Sequence, residues 1–265
     1  YGLGRILVDP MFVFRFEEEP DNLQAGENYA VAPYELASRL SFFIWGSIPD
    51  DELLAAAAAG TLSDAAEQEK QIARMVQDPK AAALVQNFAA SWLGLSQLNN
   101  VNPVSADFDG SLRVAMKRET ELLLQSVIME DKPIMELLTA DYTFVNERLA
   151  KHYGIPNIRG SHFRKVSLAG TGRHGLLGQG SILTVTSAPN RTSPVIRGAW
   201  VMDHLLGTPP PPPPPGVEVN IDAKSAPGAP PTTMRQRLQQ HRVDPSCSAC
   251  HNMMDPIGFA LENFD

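Results

Sequence analysis

The chain has 265 residues, of which 43% are hydrophobic and 20% charged, a balance typical of a globular protein whose core needs no disulfide support. Its formal net charge of −8 argues against non-specific binding to nucleic acid, because that binding requires clustered lysine and arginine. No apolar run approaches the roughly 20 residues of a membrane-spanning helix. The smoothest run, residues 53–59, directly follows three acidic residues.

Helical patterns dominate the first 160 residues. Apolar residues recur at helical spacing, prolines stand in first turns, and glycine or proline follows the last turn of several segments. The predicted helices cover residues 33–45, 47–60, 62–78, 80–98, 109–130 and 144–155.

The pattern changes after residue 156. Residues 157–173 contain several glycines and the alternating stretch HFRKVSLAG, which predicts a loop with one short strand or hairpin. Residues 175–207 predict two helices separated by residues 187–190. Thr192 or Ser193 is suited to cap the second of these helices, with Pro194 in its first turn.

Seven consecutive prolines at residues 209–215 predict an extended polyproline II rod roughly 20 Å long. Residues 216–231 are polar and rich in proline, glycine and alanine, as flexible connectors are. A short polar helix then leads into the last segment. We therefore expect a mainly α fold with a helical body at 1–208, a polyproline rod and linker at 209–231, and a small C-terminal unit at 232–265.

Both cysteines of the chain lie in the sequence CSACH, as Cys247 and Cys250, and His251 follows at once. Covalent attachment of haem c needs two thiols at this spacing for the two vinyl groups and a histidine directly after them for the iron. The motif is short, and alternatives stay open. It could form a zinc site with His241 as the fourth ligand, a redox-active dithiol, or a structural disulfide.

The haem c hypothesis favours His251 as the ligand on one side of the iron. Met253 and Met254 follow His251 too closely to reach the opposite side of the ring, so Met254 is expected to contact the haem edge. His241 is the candidate for the distal ligand, unless it only interacts with a helix C-terminus. An open, water-ligated or methionine-ligated iron is the other option.

The residues after the motif read DPIGFALENF. Asp255 and Pro256 predict a turn, with Asp255 able to cap a following helix. The apolar residues beyond it would form walls for a porphyrin, or simply one face of an amphipathic segment. These residues are Ile257, Phe259, Leu261 and Phe264.

Four stretches of the chain, residues 35–54, 139–155, 175–217 and 240–265, together resemble the planctomycete-type cytochrome c-domain proteins. These are large secreted bacterial proteins that contain a CxxCH motif and are built of domains of unknown function. The resemblance implies an exported protein, haem binding by the CxxCH residues, and further domains on both sides. That agrees with a chain that begins at Tyr1 without a signal peptide, which we expect to be part of a longer polypeptide.

Part of the resembling region contains two arginines that suit recognition of carboxylates. Arg191 and Arg197 could pair with the haem propionates, or else belong to an ordinary helix start and a salt bridge. Trp200, three residues after Arg197, is expected on the same helix face, in the core or against the porphyrin.

We therefore expect a periplasmic, cell-surface or extracellular electron-transfer module with covalent haem c. Its partners would be redox proteins or further domains of the same polypeptide, and we expect the module to be part of a larger chain or complex. One alternative is a haem oxidoreductase with an open iron face, and another is a non-redox scaffold with a zinc or disulfide staple. No nucleophile elbow, HExxH motif or phosphate loop supports hydrolytic catalysis.

Overall fold

The structure is a computed structural model that describes residues 1–212, 233–243 and 245–264, without the side chains of Met11, Met234, Gln240, His241 and Ser246. Its described part is mainly helical with one two-stranded sheet, so the mainly α class is confirmed. Most of the predicted polyproline rod and its linker lies outside the described residues. The chain divides into two compact units, Tyr1–Phe88 and Ala89–Asp265. The boundaries predicted at 208 and 231 stay a prediction.

The first unit is a set of short helices. They are α1 (Gly2–Leu7), α2 (Pro10–Val13), α3 (Pro33–Trp45), α4 (Asp51–Ala58), α5 (Ala65–Gln77) and α6 (Ala82–Leu84). The indole Nε1 of Trp45 donates to the carbonyl of Met75 at 2.9 Å, which ties α3 to α5. Asp50 caps α4 by accepting from the backbone N–H of Leu53, and it also pairs with Arg74 of α5 at 2.6 Å.

The helix predicted at 80–98 is wrong as one continuous element. The chain forms a 3-10 turn, then α6, a π-helical turn at Val85–Ala89, α7 (Ala90–Trp92), and a 3-10 turn at Leu95–Asn99. Gly94 adopts a left-handed conformation with φ of 65°, which ends α7. The π turn shifts the register of the side chains that follow, and Phe88 is half exposed.

The second unit is built around its longest helix, α8 (Gly110–Met129), which Asp109 caps. The short α9 (Glu136–Thr139) follows, and then β1 (Tyr142–Val145) pairs antiparallel with β2 (Arg164–Ser167). Between the strands lies α10 (Glu147–Tyr153), capped by Asn146. The helix predicted at 144–155 is therefore wrong in its first residues, because Phe144 and Val145 belong to the sheet.

The remaining helices of this unit are α11 (Gly180–Val185), α12 (Pro194–Trp200), α13 (Met234–His241) and α14 (Pro245–Phe259). A π-helical segment, Val201–Leu205, continues α12. Ser193 caps α12 and Pro194 opens it, which confirms the sequence-based expectation. Within the described residues, no helix has both the length and the apolar character needed to cross a bilayer.

The turn predicted at Asp255 and Pro256 is wrong, because α14 runs through both residues to Phe259. Proline in a helix interior removes one hydrogen bond and normally bends or ends the helix. Here the C-terminal part of α14 packs closely against α12, and this packing outweighs the local preference.

Candidate functional site

The CxxCH residues lie in the first two turns of α14, which begins at Pro245. Cys247, Cys250 and His251 stand at positions i, i+3 and i+4, so they share one face of the helix. Cys247 is buried, Cys250 is half-buried, and the His251 side chain is 12% exposed. Both cysteines are thiols, not joined in a disulfide. The motif thus presents two thiols and one imidazole together, mostly shielded from water.

The imidazole of His251 is held by a carboxylate one turn further along α14. Its Nδ1 lies 2.9 Å from Oδ1 of Asp255, whose side chain is fully buried. A carboxylate oxygen accepts hydrogen bonds, so Nδ1 carries the proton and Nε2 is the nitrogen suited to a metal. Arg242, just after α13, places its Nε 3.6 Å from Oδ2 of Asp255. The orientation of His251 is therefore set by its hydrogen bond to Asp255, and the guanidinium of Arg242 lies beside that carboxylate.

The position of α14 is set by a glycine-mediated crossing with α12. A Cβ built on Gly198 would lie 1.9 Å from the carbonyl oxygen of Met254, and one built on Gly258 would lie 1.8 Å from that of Pro194. The two backbones therefore touch at glycines. The contact pairs run in opposite directions, so the helices are antiparallel, and the turn of α14 with His251 lies toward the π-helical segment at 201–205.

A buried indole lies at the same end of α12. Trp200 is 8% exposed, and its ring stacks on His204 with the centroids 4.9 Å apart. Its Nε1 is buried and has no hydrogen-bond acceptor among the described residues. The backbone carbonyl of His204 accepts from Trp92 Nε1 at 2.6 Å. Trp200 thus offers one buried donor that a ligand carboxylate would satisfy.

Arg197 anchors the end of the chain. Its side chain is 2% exposed, and Nη1 donates to the carbonyl of Leu261 at 2.8 Å and to Oε1 of Glu262 at 3.0 Å. Nη2 donates to the carbonyl of Phe264 at 2.9 Å. Arg191 is half-buried and donates to the carbonyl of its neighbour Thr192. The predicted contacts of both arginines with haem propionates stay a prediction.

The other predicted site residues lie on or beside α14. Met254 is buried at the helix crossing, while Ile257 and Phe259 are half-buried. The guanidinium of Arg235 lies 4.3 Å from the centroid of the Phe259 ring, which packs α13 against α14. The side chain of His241 is outside the described residues, so its assignment as distal ligand stays a prediction.

A second buried polar cluster lies elsewhere in the same unit. Glu119 of α8 is 1% exposed and accepts hydrogen bonds from Thr143 Oγ1 and from the Tyr153 hydroxyl, each at 2.6 Å. Burial raises the pKa of Glu119 to about 7. The Tyr153 oxygen in turn accepts from the backbone N–H of Gly180 at 2.6 Å, so the cluster joins α8, α10 and α11.

Three of these features were not predicted from the sequence. The spacing of His251 and Asp255, four residues apart, could have indicated their contact once a helix was assumed. The close approach at Gly198 and Gly258 has only the glycines themselves as a signal. Nothing local marks Glu119 as buried, because the hydroxyls it contacts come from distant parts of the chain.

The donor set fits attachment of haem c, with two thiols on one helix face, a histidine whose Nδ1 is already engaged, and a buried indole donor on the crossing helix. Among the described side chains, no group of three or more histidine, cysteine, aspartate and glutamate residues is arranged to hold a metal ion directly. Haem attachment does not require such a group, since the porphyrin supplies four of the ligands of the iron.

Comparison with known proteins gives two matches that together cover most of the chain. Residues 31–155 match a family model described as PSD4, protein of unknown function (DUF1592). Residues 173–265 match a second model, described as PSCyt3, protein of unknown function (DUF1588), and this segment includes α11, α12, α14 and the CxxCH motif. No curated protein and no solved structure matches the chain.

Proposed function

We propose that this chain is a c-type haem protein that transfers electrons. The two matched segments support the proposal, because they belong to the planctomycete-type families of cytochrome c-domain proteins. This match confirms the resemblance seen in the sequence. In this proposal, Cys247 and Cys250 form thioether bonds to the haem and His251 ligates the iron through Nε2. The bound haem supplies the one-electron chemistry.

The observation that carries the proposal is the arrangement of the CxxCH face. Both thiols and the imidazole lie on the first two turns of one helix, and a buried carboxylate holds the imidazole through Nδ1. A ligating histidine commonly donates its second ring N–H to a carboxylate or carbonyl, because this fixes the tautomer and the ring orientation. The contact between His251 and Asp255 supplies this feature.

The surrounding residues have separate tasks in this proposal. The glycine crossing fixes α14, and with it the CxxCH residues, relative to α12. Burial of Cys247 excludes water from the attachment site, and a low-dielectric surrounding is one of the factors that set the potential of a haem. Trp200 would donate from Nε1 to a haem propionate, with Arg191 and Arg197 as the further propionate partners predicted from the sequence.

Covalent attachment of haem c takes place outside the cytoplasm, so we propose that the protein works in the periplasm, at the cell surface or outside the cell. Its electron-transfer partners would be other proteins that form a complex with it, or further domains of the same polypeptide. The family resemblance supports both statements, since such proteins are exported and contain several domains.

The experiment is expression in a bacterium that carries the maturation machinery for haem c, followed by extraction of the purified protein with acidic acetone. We expect a Soret band that stays with the protein, and its loss when Cys247 and Cys250 are both replaced by alanine. A wild-type protein without a Soret band, or one whose colour is wholly extracted, contradicts the proposal.

The spectrum also separates electron transfer from the alternative of an oxidoreductase. A low-spin spectrum in both oxidation states supports electron transfer, because two strong axial ligands leave no position for a substrate. A high-spin ferric spectrum that shifts on addition of cyanide or peroxide instead supports an open iron face.

A further inference from the structure

Asp255 is an unusual residue for the interior of a helix. Aspartate is disfavoured there because its side chain competes for backbone hydrogen bonds, and burial of its charge is costly. Yet Asp255 lies inside α14, is fully buried, and caps no helix end. A buried charge of this kind requires a compensating partner, and its partners show what it does.

The carboxylate of Asp255 is directed at His251. Oδ1 lies 2.9 Å from Nδ1 of His251, which is a strong hydrogen bond to an ionised acceptor. Oδ2 accepts no hydrogen bond from any described residue, and Nε of Arg242 is 3.6 Å away, beyond hydrogen-bonding distance. Arg242 therefore compensates the negative charge of Asp255 only in part. The hydrogen bond of this carboxylate is made to the imidazole of His251.

We propose that Asp255 is a positioning residue that sets the reduction potential of the haem by acting through His251, with Arg242 opposing it. This inference rests on the proposed function. A carboxylate hydrogen-bonded to Nδ1 increases the basicity of the imidazole and so strengthens its donation to iron. The negative charge also favours the ferric over the ferrous state, because the ferric iron carries one more positive charge. Asp255 thus lowers the reduction potential, and Arg242 raises it.

The two residues make opposite predictions, which separates an electrostatic effect from a structural disturbance. Asp255→Asn keeps the shape of the side chain and an oxygen that can accept from Nδ1, but removes the charge. Arg242→Gln removes the opposing charge at a residue whose side chain is 24% exposed. A general loosening of the site would move the potential in the same direction in both variants.

The test is a potentiometric titration of the haem-loaded protein, wild type and variants. We expect Asp255→Asn to shift the equilibrium toward reduction by about tenfold, which is 59 mV for a one-electron couple. Arg242→Gln should shift the potential to lower values, because it removes the positive charge beside Asp255. Glu130→Gln, at the end of α8, removes a carboxylate that is 57% exposed and should leave the potential close to that of the wild type.

The outcomes distinguish this inference from the proposed function. A haem-loaded Asp255→Asn variant with an unchanged or lowered potential overturns the inference alone, as does a raised potential in Arg242→Gln. If Asp255→Asn does not fold, the sign of the shift in Arg242→Gln decides the matter by itself. A wild-type protein that takes up no covalent haem contradicts the proposed function and this inference with it.

Discussion

Replacement of Gly198 by alanine tests how closely the CxxCH helix is packed. A carbon and a carbonyl oxygen in contact lie about 3.3 Å apart. The Cβ of the new alanine would lie 1.9 Å from the carbonyl oxygen of Met254, which is a rigid backbone atom. The helices α12 and α14 would therefore have to separate by more than about 1 Å along a well-packed interface. Overpacking of this severity costs about 3 kcal/mol.

The assay is thermal unfolding followed by circular dichroism, with Gly110→Ala as the matched control. Gly110 opens α8, and a Cβ there would meet nothing within 4 Å. For a unit of this size, a loss of 3 kcal/mol lowers the melting temperature by about 6–12 °C. Gly110→Ala should leave the melting temperature unchanged or raise it slightly, since alanine is the better helix former. Equal melting temperatures for the two variants would refute the close crossing of α12 and α14.

Three further predictions concern the polar groups that stabilise each unit. The pKa of Glu119 is about 7 in the folded state and near the ordinary value of 4.5 in the unfolded state. The free energy of unfolding should therefore fall as the pH rises from 4.5 to 7. Guanidinium unfolding should show that, between pH 4 and pH 8, the free energy of unfolding of Glu119→Gln falls by about 3 kcal/mol less than that of the wild type. Identical pH profiles for the two proteins would contradict the burial of this carboxylate. Lysine in place of Arg197 cannot reproduce the forked contacts to residues 261–264. We expect the free energy of unfolding of Arg197→Lys to fall by about 2 kcal/mol, with faster amide hydrogen exchange at these residues. Unchanged protection there would show that Arg197 does not anchor this segment. Asp50→Ala removes the cap of α4 and the partner of Arg74. Urea unfolding should show a free energy of unfolding lower by about 1 kcal/mol, and a variant as stable as the wild type would rule out this cap.

Elements with local signals were predictable from the sequence. The helix α8 has an N-terminal cap in Asp109 and ends before a proline, and α12 has Ser193 and Pro194 at its start. The strand β1 lacked such a signal. The apolar residues of β1 continue the helical spacing of α10. They form a strand only because they pair with β2, with Tyr142 opposite Ser167. Such pairing between distant segments is not visible in a local pattern.

The candidate site shows the same division between local and distant information. Cys247, Cys250 and His251 were predicted as haem-attachment residues from their spacing alone, because the CxxCH pattern consists of neighbouring residues. Asp255 was misjudged as a turn residue, since proline follows it and normally interrupts a helix. The crossing of α12 and α14 holds the helix together through that proline, and it places Asp255 beside His251 where the sequence suggested a bend.

Covalent haem attachment is tested most directly by the mass of the tryptic peptide of residues 243–265, from protein expressed with the haem c maturation machinery. This peptide contains both cysteines, and no lysine or arginine interrupts it. We expect a peptide heavier than its sequence by one haem, with fragmentation that locates the added mass at Cys247 and Cys250. A peptide with two unmodified thiols, or with a disulfide between them, would contradict the assignment of this chain as a c-type haem protein.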